Sequence, residues 1–350
     1  MELAVVTCWP PSVATGSGTA VAQHGLTDAL ARADARLTVL ATSSFASSWR
    51  GIARRYLRNA ARMPKLDRYD AVFGVDGEGW LWARRHARPP YVALAKAVLT
   101  DVIPFEGRYW QGLLRVQAGW EAAGARQARA VITASGYAAD RLARGYGVQR
   151  DTIQVVPEPF DFGLWRARLP SVPPSEREPL VLAVGHAYPR KNYAALLRAW
   201  PLVARQRPDA RLVLAGHGPE QEALNQLALG QPTVSIIGHV PFDELLDLYA
   251  RARVFCHPSL QENFGIAVVE GLAAGLGVVV HQQPAVVETV TGVPGTWVTD
   301  TRSPERLSAA LLEALDGPPV WPDARLDGLR ARLDPATVGR QVQAIVESVR

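Results

Sequence analysis

Two rhythms of apolar and polar positions alternate along this chain. Short, nearly continuous apolar runs read as strands buried on both faces. The longer stretches between them repeat apolar positions every three or four residues, as helices with one covered face do. In the first half the strand runs are 3–7, 37–41, 71–75, 91–95, 130–134 and 152–156; the pattern restarts with 180–184, 211–215, 234–237, 254–256 and 278–280. Helices are expected at 20–33, 242–250 and 266–274, among others, and an amphipathic helical tail at 336–349. Strands alternating with helices from end to end predict parallel α/β layers. Between the halves, Ser171-Val172-Pro173-Pro174-Ser175-Glu176-Arg177-Glu178-Pro179 is proline-rich and charged, as a linker is. The expected division is 1–165, a linker at 166–179, then 180–335, with the tail helix at about 336–350.

Composition narrows this picture. A chain of 350 residues suits two cores better than one. With 48% hydrophobic and 20% charged residues it falls in the globular class. No apolar run reaches the ~18 residues of a membrane span. Met1-Glu2-Leu3-Ala4-Val5-Val6 starts directly as a strand, without a basic leader, so a cytoplasmic rather than secreted protein is expected. Cys8 and Cys256 sit in apolar strand contexts and fit reduced, buried thiols. The net charge of +5 comes from arginine, since Lys65, Lys96 and Lys191 are the only lysines. A basic balance points to nucleic acid, an anionic membrane surface or an anionic substrate. No zinc-finger, RNA-recognition or helix-turn-helix signature supports nucleic acid.

Candidate chemistry concentrates in the second half. Glu262 lies on the loop after the 254–256 run, and Glu270 lies inside the 266–274 helix. Ligands of open α/β sheets bind at such strand ends. Asn263, Phe264 and Gly265 would offer the free N–H groups of a helix start to an anion, and Gly265 would let the backbone approach closely. A carboxylate such as Glu270 on a nearly apolar helix needs a partner, and sugar or ribose hydroxyls suit a pure acceptor. A second constellation follows the 180–184 run. Gly185 and His186 open a loop that carries Arg190 and Lys191 side by side before a helix, an arrangement fit to clamp a diphosphate or, equally, to stay a solvated basic loop. His217 and His239 read as loop hydrogen-bonders, and no His/Cys/Asp cluster has metal-ligand spacing, so no metal is expected. In the first half, Thr15-Gly16-Ser17-Gly18-Thr19-Ala20 is either a phosphate-hosting turn at a helix start or a plain tight turn. Lys96 ends a strand and is either a ligand-facing cation or a snorkelling lysine; Asp101 and Glu106 are nearby carboxylates. Arg50, Arg54, Arg58 and Arg62 form a stripe on helix 49–63, opposite Trp49, Ile52, Ala53, Tyr56 and Leu57. The expected state is a helix packed on its sheet with a solvated basic face; docking on anionic lipid is the alternative.

Glu262 and Glu270, eight positions apart, are followed by Ala273-Ala274-Gly275-Leu276-Gly277 and an apolar strand. This element resembles the hallmark of the retaining glycosyltransferases of family four, which have the GT-B fold. The likeness is dense from Leu180 to Gly292 and loose before Ala130. It implies two Rossmann-like domains facing each other across a deep cleft, the N-terminal one on the acceptor side, the C-terminal one binding a nucleotide sugar, and the last helix crossing back to the N-domain. By resemblance, Lys191 matches the lysine of the donor-diphosphate loop, and His186 stands where many members have an arginine. The Gly216 turn matches the family's Gly-x-Gly, Val240 borders the nucleotide base, and Gly18 belongs to a loop across the cleft from the diphosphate. Lys96 stands where many members have a histidine. The implied activity is retaining transfer of a hexose from a nucleotide diphosphate sugar, with GDP-mannose or UDP-glucose favoured, to a saccharide or lipid-linked acceptor. It needs no cofactor beyond that donor, and a lipid-linked acceptor would place the protein peripherally at the inner membrane face. The alternatives are a GT-B nucleotide-sugar epimerase and a non-catalytic sugar-nucleotide-binding subunit.

Overall fold

The structure, a computed structural model, describes residues 1–8, 18–41, 49–62, 66–84 and 88–350. Thr15, Gly16, Ser17, Met63 and Lys65, singled out above, lie outside the described residues. The strands are β1 (Glu2–Thr7), β2 (Arg36–Ala41), β3 (Ala71–Val75), β4 (Tyr91–Ala95), β5 (Ala130–Thr133), β6 (Ile153–Val155), β7 (Leu180–Val184), β8 (Arg211–Ala215), β9 (Val234–Gly238), β10 (Val254–His257), β11 (Gly277–His281) and β12 (Thr296–Thr299). Every strand but β12 matches an apolar run in the sequence. β12 is a half-exposed edge strand, Thr-Trp-Val-Thr, whose polar positions hide it from a search for buried runs.

The chain divides into two compact units. The first is Met1–Phe160 together with Ala331–Arg350, and the second is Asp161–Arg330. The first unit holds a parallel sheet in the order β2-β1-β3-β4-β5-β6. One of its faces packs Val5, Phe73 and Leu94 against Leu26 and Leu30 of helix Gly18–Ala31 and against Val338, Val342 and Val346 of helix Pro335–Val349. These three valines recur every fourth residue, so they line one stripe of the helix. The C-terminal helix therefore completes the core of the first unit. It lies so close to helix Gly18–Ala31 that a Cβ at Gly339 would overlap the Ala29 carbonyl. Arg350 ends the chain in an ion pair with Asp70.

The second unit repeats the architecture with the order β12-β11-β10-β7-β8-β9, again all parallel. Counted within the unit, this is the doubly wound order whose topological switch falls between β7 and β10. Residues 171–179 pack into this unit, where the buried Arg177 guanidinium donates to the carbonyls of Ala252 and Ala274, both at 3.1 Å.

The basic helix is Trp49–Arg62. Ile52 is buried, and Arg50, Arg54 and Arg58 are exposed. Leu57, expected on the packed face, is 64% exposed instead. Among the described residues, no helix is long and apolar enough to cross a membrane. Cys8 and Cys256 are both buried.

Candidate functional site

The switch point between β7 and β10 gathers most of the candidate residues. β10 is wholly buried and ends at His257; the chain then crosses a loop to helix Ile266–Ala273, whose first turn follows Gly265 at φ +87°. That left-handed conformation suits glycine. β7 leads through Gly185 to the 3-10 turn Pro189–Lys191 and then to helix Tyr193–Gln206. Hydrogen bonds stitch the two loops together. The Arg190 carbonyl accepts from Leu260 N at 2.8 Å and from Ser259 Oγ at 3.2 Å, and the Arg190 guanidinium donates to the Gln261 carbonyl at 3.2 Å. Gln283 Nε2 holds the Glu262 carbonyl at 2.9 Å.

This framework brings Glu262 and Lys191 into direct contact. Lys191 Nζ donates to Glu262 Oε1, His257 Nε2 lies 3.0 Å from the same oxygen, and Arg190 NH1 stands 3.8 Å away. Burial alone would raise the Glu262 pKa. The Lys191 charge, the His257 hydrogen bond and Arg190 outweigh it and hold the carboxyl well below the usual range. Burial depresses the Lys191 ammonium more than Glu262 restores it, and burial likewise lowers His257. Two groups from separate constellations of the sequence thus form one ion pair. A polyanion reaching Lys191 would compete with Glu262 for it.

Glu270 has a different environment. Its Oε2 accepts from Tyr249 Oη at 3.0 Å, and Tyr249 stacks on Phe255. Burial pushes the carboxyl up to about 7, against the opposing effect of the Tyr249 hydrogen bond. The partner expected from a ligand hydroxyl is therefore supplied, in part, by the protein. Asn263, Phe264 and Gly265 are buried at the start of the same helix; Thr289 Oγ1 fixes the Phe264 carbonyl at 3.0 Å, and a Cβ at Gly265 would meet Val286 at 3.3 Å.

Gly185, His186, Gly216 and Val240 line the neighbouring ends of β7, β8 and β9. Gly216 has φ +130°, and a Cβ there would overlap the Gly185 carbonyl. At Gly218 a Cβ would lie 2.7 Å from Ala187 N, so both turns of the Gly-x-Gly element need glycine for close backbone approach. Val240 is half-buried just after β9.

In the first unit two candidate charges have partners within the protein. Lys96 Nζ donates to both oxygens of Glu158 at 2.7 Å, while Asp76 Oδ1 accepts from Lys96 N at 2.9 Å. Asp101 is held by Arg141 Nε at 2.7 Å and by Tyr137 Oη at 3.1 Å. Gly18 opens helix Gly18–Ala31. Sequence reasoning missed His257, Tyr249 and Glu158. Only Glu158 carried a signal, being a carboxylate pinned between Pro157 and Pro159; Tyr249 is too far from Glu270 along the chain for any spacing rule. Among the described residues, no group of three or more His, Cys, Asp or Glu could hold a metal ion.

With this geometry in view, two family models cover the chain in succession: Glycosyltransferase Family 4 over residues 16–163 and Glycosyl transferases group 1 over residues 167–332. The chain belongs to these glycosyltransferases. Among the relatives of this family member is a GDP-mannose-dependent monoacylated alpha-(1-6)-phosphatidylinositol monomannoside mannosyltransferase of Corynebacterium glutamicum. It is 29% identical over 152 residues, covering 41% of this chain and 40% of that protein. The O-antigen chain mannosyltransferase B of Escherichia coli is 34% identical over 139 residues, covering 38% and 36%. The chain spans less than half the length of these curated relatives. Two solved structures match end to end. Sucrose-phosphate synthase of Thermosynechococcus elongatus has a TM-score of 0.80 at 16% identity, covering 99% of this chain and 98% of that one. HepE of Anabaena, solved with UDP and glucose, has a TM-score of 0.77 at 18% identity, covering 99% and 100%. At such identities the likeness shows the fold, which is GT-B.

Proposed function

We propose that this glycosyltransferase-family chain transfers a hexose from a nucleotide diphosphate sugar to a hydroxyl of a saccharide or lipid-linked acceptor, keeping the anomeric configuration. The observation that carries the reading is the gathering of Glu262, Lys191 and Arg190 at the switch point of the second unit. A donor diphosphate beside Lys191 would draw its ammonium from Glu262, and the released carboxylate would then accept from hydroxyls of the sugar. The leaving group is a diphosphate whose charge grows as the bond from the anomeric carbon to phosphate oxygen breaks. Lys191 and Arg190 would stabilise that charge. In a front-face route the acceptor oxygen bonds to the anomeric carbon on the face the diphosphate leaves, and the acceptor proton passes to a phosphate oxygen. No carboxylate nucleophile is needed beneath the sugar, unlike the paired-carboxylate hydrolases. The two cations supply the charge that a resident metal would otherwise bring. Glu270 is assigned to the ribose of the nucleotide, and the start of helix Ile266–Ala273 to a phosphate.

GDP-mannose is the favoured donor, in keeping with the mannosyltransferases among the relatives; UDP-glucose is the second, in keeping with the ligands of HepE. A peripheral lipid contact through the exposed Arg50, Arg54, Arg58 and Leu57 belongs to the same reading. Thermal melts with a panel of nucleotide sugars test it. A true donor at a hundredfold excess over Kd stabilises by about 2.7 kcal/mol. Product analysis by NMR with the stabilising donor should then give an acceptor-linked sugar of unchanged anomeric configuration. If no nucleotide sugar shifts the melt, the reading falls; a shift with an inverted or unlinked product sinks the transfer chemistry.

A further inference from the structure

Three of the seven histidines occupy one repeated setting. Each directly follows a glycine at the carboxyl end of a strand, on three adjacent strands: Gly185-His186 after β7, Gly216-His217 after β8 and Gly238-His239 at the end of β9. All three glycines have positive φ, at 144°, 130° and 67°. Backbone hydrogen bonds lock the three turns to one another. Gly185 N donates to Ala215 O at 3.0 Å, Ala187 N to His217 O at 3.1 Å, and Gly216 N to Gly238 O. As a result the His186 and His217 rings stand 6.1 Å apart, centre to centre. His186 is half-buried, while His217 and His239 are exposed.

The surroundings select the ligand class. His186 faces His217 and His239 from the neighbouring turns, and Tyr188, Arg190 and Lys191 from its own loop; Glu262 is already paired with Lys191, and Glu220, which ends the His217 turn and donates its N–H to the Ala187 carbonyl at 3.0 Å, has its carboxyl pushed up by burial. Two fixed cations beside three imidazoles repel a metal ion and favour an anion. Burial, followed by His217, Lys191, Arg190 and His239, lowers the His186 pKa, so without a ligand it is neutral at pH 7. An anion placed among these groups reverses that balance.

We propose that His186, flanked by His217 and His239, lines the donor subsite and takes up a proton from solution when an anionic diphosphate binds beside Lys191 and Arg190. This rests on the donor reading above and deepens it. Two phosphate charges within about 6 Å of an imidazole raise its pKa by about one unit or more, enough to protonate it near neutrality. The sign follows from linkage. A group whose pKa is raised by the ligand strengthens binding as pH falls through the bound-state pKa, and the gain ends below the free-state value, here under the ordinary 6.5. Donor affinity is therefore expected to rise by up to about tenfold per pH unit on acidification from neutrality, the limit for one linked proton.

Isothermal titration with GDP-mannose and UDP-glucose at pH 7, repeated in buffers of different ionisation enthalpy, counts the protons directly. The diphosphate of a nucleotide sugar has no group that titrates in this range, so any uptake belongs to the protein. The wild type is expected to take up a measurable fraction of a proton per ligand, up to roughly one half for a rise of one unit, and His186→Asn/His217→Asn/His239→Asn close to none, at an unchanged melting temperature. The single variants apportion the uptake. Tight binding with no proton uptake, or uptake that persists in the triple variant, overturns the proposal and leaves the donor reading intact. If neither nucleotide sugar binds, the donor reading fails, and inorganic pyrophosphate becomes the probe. A lower uptake in the triple variant than in the wild type then supports the proposal, and equal uptake in both refutes it.

Discussion

Glu262 carries a charge for which Lys191, His257 and Arg190 compete, and that competition shapes what its replacement should do. Glu262→Gln leaves a buried ammonium without its counter-ion, so the fold should lose about 1–3 kcal/mol, the cost of a charge left short of its partner. Free nucleoside diphosphate should bind the variant at least as tightly as the wild type, because Lys191 is released, while turnover of the intact donor falls. Calorimetry showing equal losses for both ligands would contradict this division. Lys191→Ala should lower kcat by about 10²–10³-fold, the scale for one preorganised donor at a developing charge; a rise in KM alone would move that role to Arg190. Glu270 makes the clearest pH test. Its pKa of about 7 lies above the unfolded value of ~4.3, so the folded state binds the extra proton between these limits. Stability from this group therefore falls as pH rises from ~4.3 to about 7 and is flat above. Glu262, with a depressed pKa, acts oppositely: its contribution is present above ~4.3 and is lost on further acidification. Urea melts at pH 5 and pH 8 should show a smaller decline for Glu270→Gln than for the wild type.

At the scale of elements, helix Pro335–Val349 depends on one missing side chain. Gly339→Ala would press a methyl group into the Ala29 carbonyl and should cost about 1–3 kcal/mol, the usual penalty for overpacking. An unchanged melting temperature would mean that the two helices separate at no cost. Helix Trp49–Arg62 offers the other test. Three exposed arginines and an exposed Leu57 suit an anionic lipid surface, where each cation contributes up to ~1 kcal/mol. Cosedimentation with phosphatidylserine vesicles is expected at low salt and should vanish near 1 M, where screening shortens to about 3 Å. If the protein stays in the supernatant at low salt, the stripe is a solvated face. The sequence displayed the stripe but not Leu57's exposure, because helical spacing gives the faces of a helix and not which of them meets the sheet.

Across the whole molecule, each unit has its own sheet and core, so denaturant unfolding should proceed in two steps, with donor moving only the step that belongs to Asp161–Arg330. A single transition moved as one would refute this. Local pattern alone determined the parallel α/β architecture, because strands buried on both faces must be written as continuous apolar runs, and it marked the Glu262 loop and the Arg190–Lys191 turn, because they interrupt those runs at strand ends. Pairing was decided only by the tertiary structure. The strand order that sets β7 beside β10 brings Lys191, 71 residues away along the chain, onto Glu262, and sets His257 on the same oxygen. The same kind of long-range closure turned Lys96 toward Glu158 and Glu270 toward Tyr249. A buried charge must find a partner, and a sequence shows the need without showing which distant residue meets it.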